Sequence, residues 1–125
     1  MMDSNFERQS VNDTMITDDA LAVIAGIAAS EVPGVAGMSS GMAGGIAEAF
    51  GRVNLSKGVK VFTRENTTTV DLYVIVRYGY RIPDLAFDIQ EHVKHQIEEQ
   101  AGIVVDNIHI HVQGVDYSET ESEQA

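Results

Sequence analysis

At 125 residues the chain is long enough for one domain with its own core and too short for two. It contains no cysteine, which excludes disulfides, thiolate metal sites and cysteine nucleophiles. The formal net charge of −11 works against long-range attraction to nucleic acid or anionic lipid.

The charge is unevenly spread. Residues 52–81 hold six cations, Arg52, Lys57, Lys60, Arg64, Arg77 and Arg81, against only Glu65 and Asp71, and acidic segments flank them on both sides. One account is that these cations solubilise a hairpin and neutralise nearby acids; another is that they form a contact surface. No basic patch followed by an apolar run opens the chain, so it does not begin like a signal peptide. The longest near-apolar run, Ala20 to Ala29, is ten residues, about half a membrane span. The expectation is a cytoplasmic protein without direct membrane insertion, reaching a membrane only through a partner.

Residues 1–14 read as a flexible N-terminus, with Val11 to Ile16 a candidate first strand. Thr17 suits a helix N-cap, and Asp18 and Asp19 place negative charge at the positive end of the helix dipole. From Ala20 the helix is apolar nearly all round, which predicts packing on more than one side. Pro33 and Gly34 stop it, and Val35 to Met38 forms a short strand. Five glycines between Gly37 and Gly51 weaken helix there, yet Met42, Ile46 and Phe50 recur at helical spacing, giving a loop that leads into a short helix. Val59 to Arg64 and Val70 to Tyr78 are two strands joined by a turn around Glu65-Asn-Thr67, the second alternating Val70, Leu72, Val74, Val76 against Asp71, Tyr73, Ile75, Arg77. Pro83 opens a second helix whose stripe is Leu85, Ala86, Ile89, Val93, Ile97 and Ala101, and Gly102 closes it. Val104 to Gln113 is a last strand, and residues 118–125 form an acidic disordered tail.

These elements predict an α+β fold. It is a two-layer sandwich with a mixed sheet and two main helices on one face, in the order β-α-β-(short helix)-β-β-α-β, within one domain spanning residues 15–117.

Four stretches, Ile16 to Gly37, Lys57 to Val61, Val76 to Pro83 and Asn107 to Gly114, resemble in order and spacing the alkaline shock protein 23 family (general stress protein 24 type). The resemblance implies a small cytoplasmic protein tied to cell-envelope stress. It also implies partners: a membrane-anchored relative, or a metabolic enzyme such as acetyl-CoA carboxylase in the control of lipid synthesis. The segment Phe50 to Lys60 looks closer to the lipid-linked branch. The family has no agreed catalytic residues, so none transfers, and no cofactor is expected.

Other constellations are weaker. His109 and His111 share a strand face and His92 and His95 a helix face, but a metal site needs three or four ligands. If the helix covers the other side of the sheet, the two pairs cannot meet. Gly41 to Gly51 lacks the Lys-Ser or Lys-Thr of a phosphate loop, and Glu48 would repel phosphate. No Gly-x-Ser-x-Gly turn or carboxylate pair marks a catalytic centre, so the chain reads as a non-enzyme.

The sheet face away from the helices is the candidate site. Alternation places on it Lys60, Phe62 and Arg64, then Tyr73, Ile75 and Arg77, then His109, His111 and Gln113. Cations mixed with exposed Phe, Tyr and Ile make a contact surface for protein, including a second copy of the chain as a homo-oligomer. The alternative is an RNA-binding module that stacks bases on the open sheet, against which the net charge counts.

Overall fold

The computed structural model describes residues 15–39 and 57–118. The expected helix around Met42, Ile46 and Phe50 lies outside them, as do the whole N-terminal segment 1–14 and all of the acidic tail but Ser118. Of the expected first strand only Met15 and Ile16 are described, and neither is in a strand.

Helix α1 spans Asp18–Glu31. Thr17 caps it, its hydroxyl accepting from the Ala20 N–H at 3.0 Å. Leu21, Ala22, Ala25, Ala28 and Ala29 are buried, while Ile27 remains exposed. The helix packs on the second helix and on the strands Val35–Met38 and Val59–Arg64, so an almost wholly apolar sequence has neighbours on several sides. It ends before Pro33, and Gly34 turns the chain at φ +105° into β1 (Val35–Met38).

Strands β2 (Val59–Arg64) and β3 (Thr67–Arg77) form a hairpin. Its two turn residues, Glu65 and Asn66, both have positive φ, 52° and 64°, the conformation that matches the twist of the flanking strands. Thr67 therefore belongs to the strand and not to the turn. Helix α2 spans Ile82–Ala101, with proline in its first turn and Gly102 left-handed at its end. Leu85, Ile89, Val93 and Ile97 are its buried stripe.

Strand β4 is Asn107–Asp116, three residues later at each end than the alternation predicts. Before it, Val105 turns inward and is 2% exposed, plugging the core. The Asp106 carboxylate accepts the Thr68 N–H at 2.8 Å while its own N–H donates to the Thr68 carbonyl at 2.9 Å. At the far end a bulge after Val74 lets β4 continue, with Val115 opposite Val76 and Asp116 opposite Arg77.

The sheet is mixed. β1 and β2 run antiparallel to β3, and β4 runs parallel to it. β4 follows β3 from Thr69 to Arg77 and so occupies one whole edge. β1 and β2 must therefore share the other edge, β1 opposite Val74 to Val76 and β2 opposite Thr67 to Leu72. They meet at Tyr73. The Ser39 N–H donates to the Tyr73 carbonyl at 2.8 Å, and the Tyr73 N–H donates to the Gly58 carbonyl at 2.8 Å. The glycine-rich stretch is thus an excursion that leaves and rejoins one interrupted strand at a single residue. Val70, Leu72, Val74 and Val76 face the helices and are essentially inaccessible, forming one core with both helices.

Candidate functional site

Because both helices cover the Val70–Val76 face, the alternate residues of the sheet point the other way. Directly opposed residues in an antiparallel pair share a face, so Lys60 with Asp71, Phe62 with Thr69 and Arg64 with Thr67 lie on the open side. In the parallel pair, His109 lies beside Asp71 and His111 beside Tyr73. The eight residues expected to form a surface, Lys60, Phe62, Arg64, Tyr73, Ile75, Arg77, His109 and His111, do share one face, and Gln113 joins them at the bulge.

Tyr73 is the centre of this face. Its ring stacks on His111 with centroids 4.4 Å apart and planes 10° from parallel. From the opposite strand the Lys60 ammonium comes to 5.8 Å from the ring centroid, within cation–π range. Asp71, which the sequence reading left out, lies 3.7 Å from His111 Nε2. Strand alternation would have found it, because it stands two residues from Tyr73. Ser39 was missed as well: its hydroxyl donates to Gln113 Oε1 at 2.6 Å, bridging the base of the excursion to β4. No sequence signal announces that contact, since Ser39 lies just beyond a strand end. Asn107 donates to the Thr69 hydroxyl at 3.3 Å, joining β4 to β3 lower on the same face.

Phe62 is 47% exposed and, with Arg64, Glu65, Thr67 and Thr69, borders a shallow depression of about 450 Å³ near the hairpin. At the other end Asp116 faces Arg77. The backbone N–H and hydroxyl of Ser118 hold the Asp116 carboxyl below the usual carboxylate range, and the Arg77 charge adds to that.

The layers differ in charge. The two helices carry Asp18, Asp19, Glu31, Asp84, Asp88, Glu91, Glu98 and Glu99 against Lys94 alone. The open face carries Lys60, Arg64 and Arg77 against Asp71 and Asp116. The sheet side is therefore the less acidic of these two layers in a strongly acidic chain.

The helix histidines do not join the sheet histidines. His92 Nε2 is 2.8 Å from Glu31, tying α2 to α1, and His95 Nε2 is 3.3 Å from Glu99. Among the described residues no three His, Asp or Glu side chains are grouped to hold a metal ion. No helix among them is long and apolar enough to cross a membrane.

The model of one protein family, alkaline shock protein 23, described as having a cell envelope-related function, matches residues 7–117. The chain belongs to the alkaline shock protein 23 family. It is 40% identical over 102 residues to the uncharacterized Bacillus subtilis protein YqhY, covering 82% of this chain and 76% of YqhY. With uncharacterized YloU of the same organism it shares 35% identity, over 80% of this chain and 85% of YloU. Uncharacterized protein Spy1535 of Streptococcus pyogenes is 32% identical, over 84% of this chain and 80% of its own length. No solved structure matches the chain significantly. The matched region includes both helices and all four strands of the described residues, and every residue of the open face.

Proposed function

We propose that this family member acts without catalysis, as an interaction module in a cell envelope-related process, binding protein partners on the open face of its sheet. The observation that carries this reading is the arrangement around Tyr73. A stacked Tyr73–His111 pair, flanked by Lys60 and the exposed Phe62, stands on a face that no described element covers. Apolar and aromatic groups mixed with cations suit a protein contact. The candidate occupants are a membrane-anchored relative or a metabolic enzyme such as acetyl-CoA carboxylase, the latter placing the protein in control of lipid synthesis.

The RNA-binding alternative fares worse on geometry. A base-stacking platform needs a ring with a free flat face. His111 covers one side of Tyr73, and Lys60 approaches from the strand on the other side.

The test is capture of partners from native cytoplasmic and membrane fractions with the wild type, Phe62→Ser and Arg64→Glu, followed by mass spectrometry. Partners held by the wild type should be lost or depleted with both variants, and binding should change little between low and moderate salt. Normal capture by both folded variants would refute the site. Binding to RNA that collapses steeply as salt rises would favour the alternative.

A further inference from the structure

We draw no further inference here: the strongest candidate, the outer edge of β4 with its exposed Val112 and Val115, is unpaired only among the described residues, and nothing in the structure shows what covers it.

Discussion

Gly58 and Gly102 adopt nearly the same backbone conformation, with φ +78° and +73°, in different surroundings. A side chain at either position must tolerate a left-handed backbone, costing about 1–2 kcal/mol. At Gly102 nothing lies within 4 Å of an added Cβ, so Gly102→Ala should cost only that. At Gly58 the same atom would stand 2.7 Å from the Ser39 carbonyl oxygen, 2.9 Å from that of Tyr73 and 3.0 Å from Met38 Cβ. Two of these atoms are backbone, and both residues are fixed by the bonds that close the excursion. Relief means overpacking or breaking a ladder bond, a further cost of about 1–3 kcal/mol. Urea unfolding of both variants gives the comparison. With a slope of roughly 1–3 kcal/mol per molar, Gly58→Ala should have a midpoint lower than Gly102→Ala by about 1 M. Equal midpoints would refute the close approach of the two ends of the excursion at Tyr73.

Val74 is inaccessible between the helices and the sheet, so Val74→Asp should destabilise by roughly 3–5 kcal/mol, through an unpaired buried charge. Arg64→Glu, exposed on the open face, should stay within about 0.5 kcal/mol by thermal or urea unfolding; the opposite ranking would invert the faces. Glu98 accepts from Lys94 Nζ at 2.8 Å and from the Val105 N–H at 3.1 Å, which hold its carboxyl below the ordinary range. A lowered carboxyl stabilises above its ordinary range and loses that contribution as pH falls through the lowered value. The same pairing raises the Lys94 ammonium, whose contribution fades as pH rises through its raised value. The melting difference between the wild type and Glu98→Gln should therefore be steady near neutrality and shrink in acid; a difference that grew in acid would contradict this pairing.

Much of the fold was legible because it rests on local chemistry. Thr17, Pro33, Pro83 and Gly102 mark helix ends through capping and backbone restriction, which no tertiary context is needed to express. The alternation of β3 assigned Val74 and Tyr73 to opposite faces, and hence most of the open surface. Positions without such local signals were missed. Glu65 gave no hint of a positive φ, because the hairpin's twist imposes it. Val105 looked like the start of a strand, since an inward-turned loop valine and a strand valine look alike in sequence. Asp71 could have been placed on the face by counting in twos, whereas Ser39 could not.

The sequence alone determined the elements, the buried face of each and membership of a family with a cell envelope-related function, since periodicity, caps and residue order are written in the chain. Only the tertiary structure decided that β1 and β2 share one edge and that their excursion closes at Tyr73. It also stacked His111 on that ring and laid β4 parallel along β3 from Thr69 to Arg77. The reason is that strand order and register are set by contacts between residues distant in the chain. β3 can bond to only two neighbours, and once β4 fills one side completely, everything else must share the other.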